Sequence, residues 1–328
     1  METIRWGIIG CGDVTEVKSG PGFQKARGSA LVAVMRRDRA KAEDFARRHG
    51  VARAYADAET LIADPAVDAV YIATPPSSHR ALALQVAAAG KPCLVEKPMA
   101  TTHEECVEMI EAFAARRTPL WVAYYRRALP RFLIVRDLLL SGNIGQVSSV
   151  HVAVREPLAE GSAANQWRVD PSVAGGGLFL DLASHCLDLV DFLVGPITAA
   201  TGFGINSGGA YNAEDVTASA FQIGHDVVGT GIWNFNAAGK SDSMVFSGSR
   251  GELRTPVFTD GDVVVHTGAG EQVHPVRNPA HVHQPLIQTI VDELRGEGRC
   301  ESTGVSGART SWVMDRCLES YRRTMAHS

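Results

Sequence analysis

Short β-branched apolar runs alternate with alanine-rich stretches of helical period through the first third of the chain. The apolar runs fall at 4–9, 31–35, 69–73, 93–96 and 120–123, with helix-period stretches at 39–49, 79–89 and 103–117 between them. Thr102 followed three residues on by Glu105 has the form of a capping box, and Gly90 with Pro92 marks a helix stop. Near-continuous apolar strands separated by helices build βαβ units and a parallel sheet covered on both faces. Residues 1–124 are therefore expected to form a doubly wound α/β domain.

Beyond it the pattern changes. Residues 131–141 predict a helix closed by Ser141-Gly142, residues 147–156 alternate with period two, and residues 178–194 read as one long amphipathic helix ended by Gly195-Pro196. Strand-like runs at 216–223, 227–235 and 244–247 then follow without intervening helices, punctuated by glycines and Asp-Gly. That order predicts an antiparallel sheet and an α+β class for a second domain over 125–328, with closing helices near 284–295 and 307–325.

Composition agrees with two domains, since 328 residues exceed the ~100–200 of one typical domain. Lys plus Arg number 32 against 36 Asp plus Glu, for a net charge of −4. No stretch has the basic excess of a nucleic-acid footprint, so nucleic acid is excluded as the main partner. Mean hydropathy is −0.02, and no apolar run is read as reaching the ~20 residues of a membrane helix. The first strand begins without a basic n-region, so no secretory signal is read. The six cysteines, at 11, 93, 106, 186, 300 and 317, include no Cys-x-x-Cys pair. This excludes a zinc ribbon and suits a reducing cytoplasm; Cys93 and Cys186 lie in apolar segments and read as small core residues.

Chemistry enters at the end of the first strand, in Gly7-Ile8-Ile9-Gly10-Cys11-Gly12-Asp13-Val14. Gly10 permits a tight turn, and Gly12, Asp13 and Val14 bring backbone N–H groups to a helix start where a pyrophosphate can sit. Thr15 replaces the third glycine of the G-x-G-x-x-G pattern, and Gly20-Pro21-Gly22 interrupts the helix that follows. A glycine turn without ligand is the plain alternative; the position at the start of a βαβ unit favours a dinucleotide. After the second strand, Arg36 and Arg37 stand where an NAD enzyme carries an acidic residue, with Asp38 one step later. Guanidinium groups pair bidentately with phosphate, so NADP(H) is the preferred cofactor and NAD(H) the alternative.

Three further motifs complete the pattern: Ala73-Thr74-Pro75-Pro76, Glu96-Lys97-Pro98, and Gly175-Gly176-Gly177 leading into Asp181, His185 and Asp188. Together with the Gly-x-Gly turn they resemble the glucose–fructose oxidoreductase / inositol dehydrogenase / MocA (Gfo/Idh/MocA) family over essentially the whole chain. The resemblance implies a Rossmann domain followed by an α+β domain whose open antiparallel sheet builds a homodimer or homotetramer. It implies NAD(P)-dependent hydride transfer at a carbinol or keto carbon of a sugar, cyclitol or similar polyol. Lys97, Asp181 and His185 take the catalytic positions; Thr74, Pro75, His79, Glu96 and Lys97 fall against the cofactor.

The residues themselves lead to the same places. Lys97 ends a parallel strand at its carboxyl edge, where open α/β sheets bind ligands, and Pro98 stiffens its turn. Asp181 and His185 are spaced i, i+4 and share a helix face, which Ser184, Asp188 and Asp191 extend; a merely solvated stripe is the alternative. The three glycines ahead of them permit close approach to another element or a ligand. Tyr125 and Arg126, at the edge that Lys97 occupies, and Trp167 and Arg168 are expected to contact substrate, while His79 after Ser77-Ser78 reads as part of a helix cap. His281 and His283 lack a third metal ligand, and no metal is expected. In the expected mechanism His185, an imidazole with an ordinary pKa of about 6.5, takes the hydroxyl proton. Lys97 stabilises the developing alkoxide, and Asp181 orients the histidine or binds a neighbouring hydroxyl. Two other classes share the architecture: redox-neutral enzymes that cleave glycosides with a resident nicotinamide, and non-catalytic dinucleotide sensors. Intact Lys97 and His185 argue against the sensor.

Overall fold

A computed structural model describes residues 3–157 and 163–325, and the chain divides into two units. The first comprises Met1–Leu129 with Pro279–Ala308, the second Pro130–Asn278 with Arg309–Ser328.

The first unit runs β1 (Ile4–Ile9), α1 (Asp13–Val17), α2 (Ser19–Lys25), β2 (Ser29–Met35), α3 (Arg39–His49), β3 (Arg53–Tyr55) and α4 (Ala58–Ala63). It continues through β4 (Ala69–Ile72), α5 (His79–Ala88), β5 (Cys93–Val95), α6 (His103–Arg116) and β6 (Leu120–Val122). All six strands are parallel, in the order β3-β2-β1-β4-β5-β6. The order reverses beside β1, the switch point at which such sheets open a ligand crevice. Every residue of β4 and β5 is buried, which is why these runs carry no polar alternation. Phe23 of α2 fills the space between the rings of Trp6 and Tyr71, with centroids 4.8 and 5.2 Å away. At the start of α6 the Thr102 hydroxyl accepts from the Glu105 N–H at 3.3 Å. The Glu105 carboxylate reaches back to Thr101 N rather than Thr102 N, one residue further out than a standard box.

The expected single break after residue 124 does not describe this division. After the second unit the chain returns as α10 (Gln284–Arg295), which packs on α2, and the first residues of α11 (Gly304–Met325) also belong to the first unit. Thr303 bridges Trp121 beside β6, and the Trp121 indole N–H donates to Glu293 at 3.3 Å. Apolar Leu286, Ile287, Ile290 and Val291 form the buried stripe of α10.

The second unit begins with α7 (Pro130–Leu140), β7 (Val147–Arg155), a 3₁₀ turn (Ala163–Val169) and α8 (Pro171–Ala174). The expected single helix over 178–194 is instead a π-helical turn, Phe179–Ala183, running into α9 (Ser184–Leu193). Seven strands follow: β8 (Ile197–Ile205), β9 (Val216–Ile223), β10 (Val227–Asn234), β11 (Ser241–Gly248), β12 (Gly251–Thr255), β13 (Val263–Thr267) and β14 (Gly270–His274). With β7 they form an eight-stranded sheet in the order β14-β13-β12-β11-β7-β10-β9-β8. The sheet is mostly antiparallel, as expected, with one departure: β10 runs parallel to β7, and the other neighbours are antiparallel. The cause is the crossover through the helical segment, which returns the chain to β7 only after the β8–β9–β10 meander. Val152, Trp233, Met244, Phe246 and Leu253 are buried, while Phe203, Ile205 and Val228 are exposed.

Contrary to the reading of the sequence, one stretch, Pro171–Leu193, is long and apolar enough to cross a membrane by length and composition. Most of it is buried, and it carries Asp181, His185, Asp188 and Asp191, the pattern of a core helix. All six cysteines are buried and none is in a disulfide, and burial pushes the thiols of Cys11 and Cys300 up to about 11.

Candidate active site

At the first strand end, Gly10 has φ +92°, and a Cβ there would stand 2.7 Å from Thr74 Cγ2 and 3.0 Å from the Ala73 carbonyl. The loop after β4 thus requires glycine at the first motif position. Gly12 precedes α1, whose first residues are Asp13 and Val14. Thr15, in place of the third glycine, is buried, and its hydroxyl donates back to the Gly12 carbonyl at 2.7 Å.

Arg36 is half-buried, and its Nη1 donates to the Cys11 carbonyl at 3.3 Å; Arg37 is exposed. Asp38 is the N-cap of α3: Oδ1 accepts from Lys41 N at 3.2 Å, and Oδ2 lies 3.5 Å from Lys41 Nζ. These contacts hold its carboxyl below the ordinary range and commit it to the helix.

After β5, Glu96 is buried beneath Lys97. It accepts hydrogen bonds from the Tyr71 hydroxyl and, at 3.1 Å, from Lys97 N, and burial pushes its carboxyl pKa up. His283 Nδ1 lies 3.8 Å from Glu96 Oε1. Burial, together with Lys18, Lys97 and Arg126, pushes the His283 pKa down to about 3, so the ring is neutral. His283 packs on the Tyr125 ring at 4.4 Å, and the Arg126 guanidinium lies 5.2 Å from that ring's centroid. His281 Nδ1 lies 3.4 Å from the Val17 carbonyl.

His79 is not a cap, which falls on Ser78. Its buried ring lies between carbonyls, with Nε2 2.7 Å from that of Thr74 and Nδ1 3.0 and 3.3 Å from those of Pro98 and Met99, and one of the two nitrogens donates. The ring thus ties the turn after β4, with Thr74 and Pro75, to the turn after β5 instead of facing outward toward a ligand. Burial pushes its pKa down.

In the second unit Asp181 stands on the π turn and His185 on the first turn of α9. Arg168 Nε lies 3.4 Å from Asp181 Oδ2, and its guanidinium covers the Trp167 ring at 4.5 Å, so three expected site residues come together. His185 is buried and meets Phe258 edge-on at 6.2 Å. The Phe258 loop is held by Asp242, which accepts from the N–H groups of Val257, Phe258 and Thr259, and by Arg131, which donates to the carbonyls of Pro256, Thr259 and Gly261. The polar stripe is not solvated: Ser184, Asp188 and Asp191 are buried, and Asp191 takes two 2.7 Å bonds from Arg309. The glycine run approaches an element of the fold, since a Cβ on Gly177 would collide with the Glu214 carbonyl.

Thus Gly10, Gly12, Arg36, Thr74, Glu96 and Lys97 stand at the carboxyl edge of the first sheet, and Trp167, Arg168, Asp181 and His185 in the second unit. Residues 4–124 match the oxidoreductase family with an NAD-binding Rossmann fold, and residues 132–254 match the Gfo/Idh/MocA C-terminal domain. The chain is a member of the Gfo/Idh/MocA family. It is an NAD(P)-dependent oxidoreductase. It is 38% identical to Oxidoreductase P35 of Formosa agariphila, over 95% of this chain and 97% of that one. It is 28% identical to 1,5-anhydro-D-fructose reductase of Ensifer adhaerens over 92% of each chain. Its fold matches levoglucosan dehydrogenase in complex with NADH and levoglucosan, with a TM-score of 0.87 at 21% identity over 98% of each chain.

Proposed function

We propose that this oxidoreductase prefers NADP(H) and moves a hydride between nicotinamide and a carbinol or keto carbon of a sugar, cyclitol or similar polyol. The observation that carries the reading is Lys97, set by buried Glu96 at the carboxyl edge of the parallel sheet, in a chain that also presents Asp181 and His185 from one helical segment. The relatives named for anhydrofructose and levoglucosan support a small cyclic polyol as substrate.

Nicotinamide, when bound, accepts or supplies the hydride. His185 takes the substrate hydroxyl proton as general base. Lys97 donates a hydrogen bond that stabilises developing alkoxide charge. Asp181, with Arg168 beside it, binds a neighbouring hydroxyl or orients the imidazole. Arg36 and Arg37 receive the 2′-phosphate, and Asp38, occupied by its helix, does not oppose them.

The protein works in the cytoplasm as a homodimer or homotetramer built on the second sheet. Phe203, Ala218 and Ile232 lie in register across β8, β9 and β10 and are exposed, with Val228 beside them. A second copy of this chain is the occupant that an apolar row of this kind fits.

The test is a panel of sugars, cyclitols and their keto forms with both cofactors, followed at the reduced-nicotinamide absorbance. Lys97→Met is expected to keep cofactor affinity and lower turnover by ~10²-fold, the scale of losing one oxyanion donor. Near-normal turnover removes Lys97 from the chemistry. Release of a glycoside fragment without net change in NADPH assigns redox-neutral cleavage instead.

A further inference from the structure

Glu214 lies between β8 and β9, is 2% exposed, and accepts the Gly177 N–H at 2.7 Å through Oε1. Gly177 is the last glycine before the helical segment that carries Asp181 and His185. Two residues earlier, the Gly175 carbonyl accepts from Arg322 Nη2 at 3.1 Å, and Arg322 is itself held by Asp315 at 2.6 Å. A Cβ on Gly176 would stand 3.2 Å from Glu214 Oε1 and 2.7 Å from Leu180 Cδ1, so the bare backbone lies directly against the carboxylate. A run of glycines has no side chains with which to fix its own path. Its position here is set by an acceptor at one end and a donor at the other.

We propose that Glu214 is a positioning residue for the reaction: by anchoring the glycine run, it sets where Asp181 and His185 stand. The inference rests on the reading of those two residues as catalytic. This hydrogen bond is enclosed, and a buried N–H left without an acceptor is costly, so the side-chain oxygen fixes the glycine run. The π turn that follows is a weak form of helix, frequent at functional sites, and it depends on a fixed starting point. Asp215 and Tyr211 from the same loop, and Arg322 and Tyr321 from α11, are the ionisable groups acting on or feeling Glu214; burial pushes its pKa up, Arg322 offsets only part of that rise, and Oε1 can accept the Gly177 N–H in either protonation state.

The test compares Glu214→Ala, which leaves Gly177 N–H without its acceptor, with Glu214→Gln, whose amide oxygen can still accept. Misplacement of a catalytic group by about 1 Å can lower turnover 10²-fold, so Glu214→Ala is expected to lower kcat at least ~10-fold with an unchanged NADPH Kd. Glu214→Gln is expected to recover kcat to within about threefold, because the same N–H is still met. In a His185→Ala background, followed by single-turnover hydride transfer, the Glu214→Ala effect should shrink, since the residue it serves is gone. If Glu214→Ala does not fold, Glu214→Asp withdraws the carboxylate by about 1.5 Å, one C–C bond, and should still lower kcat. Wild-type kcat in Glu214→Ala or Glu214→Asp overturns the proposal, as does an equal fold-loss with and without His185. Full activity of His185→Ala alone would instead overturn the catalytic reading, whatever the Glu214 variants show.

Discussion

Replacing both guanidiniums after β2, in Arg36→Ala/Arg37→Ala, should erase the proposed preference for NADPH over NADH. A hydrogen bond to a charged group contributes about 1.5–3 kcal/mol, a factor of about 10–150 in Kd. The two arginines do not share this equally. Arg36 is half-buried and already steadied by the Cys11 carbonyl, so less freedom is lost when it meets a phosphate. Arg37 is exposed, and an exposed ion pair is worth about 0.2–1 kcal/mol, at most about fivefold in Kd. Arg36→Ala alone should therefore remove most of the preference and Arg37→Ala a small part. NADH affinity should hardly change, because Asp38 remains tied to Lys41 and is not released toward the ribose. Titration of each cofactor into apo protein, by nicotinamide fluorescence at low salt and at 0.15 M salt, measures both Kd values. The gap should narrow with salt as the exposed charge is screened. Equal or tighter NADH binding by the wild type at low salt would refute the assignment, as would a double variant that weakens both cofactors alike.

Glu214 has a distinct signature in stability. Burial pushes its pKa from 4.5 to about 7, so the folded state favours the protonated form; that contribution is complete below pH 4.5 and is lost as pH rises through 7. Glu214→Gln should therefore gain up to about 3 kcal/mol over the wild type above pH 7, at 1.36 kcal/mol per unit, and little at pH 4.5; urea midpoints showing the same difference at both pH values would sink this account. Asp242→Ala strips three backbone N–H groups of their acceptor and should destabilise by about 3 kcal/mol in urea unfolding, so a loss below about 1 kcal/mol would show the loop to be held without it. Phe203→Glu places a charge in the exposed apolar row and should yield a monomer by light scattering; an unchanged mass would move the interface elsewhere.

The central strands of the first sheet are legible because both faces are buried, which writes them as unbroken apolar runs. β3 is not legible: it has three residues, and Arg53 is exposed. α4, six residues long and capped by Asp57, is too short to show a period. The stripe of α10 announces an amphipathic helix, but nothing local says which core it meets, and the return of the chain to the first unit is hidden for that reason. The parallel seam between β7 and β10 is equally hidden, since each strand alternates as an antiparallel one would. Lys97, Asp181 and His185 are readable through motif spacing. Glu214 is not, because a Glu-Asp pair before a strand has the look of a solvated turn until the Gly177 N–H is seen against it.

The split of the first unit has a consequence for synthesis. A chain emerging from the ribosome presents β6 long before the segment that pairs with it, in which the Ser302 carbonyl accepts the Val122 N–H and the Ser302 hydroxyl donates to the Val122 carbonyl. Until then β6 is an open sheet edge, and α2 lacks the helix whose Ile287 side chain meets it at Gly22. An uncovered edge is a template for pairing with other chains. Contacts so distant in sequence also form late. A nascent chain released at Leu129 would therefore hold all six strands of the first sheet and still be prone to aggregate.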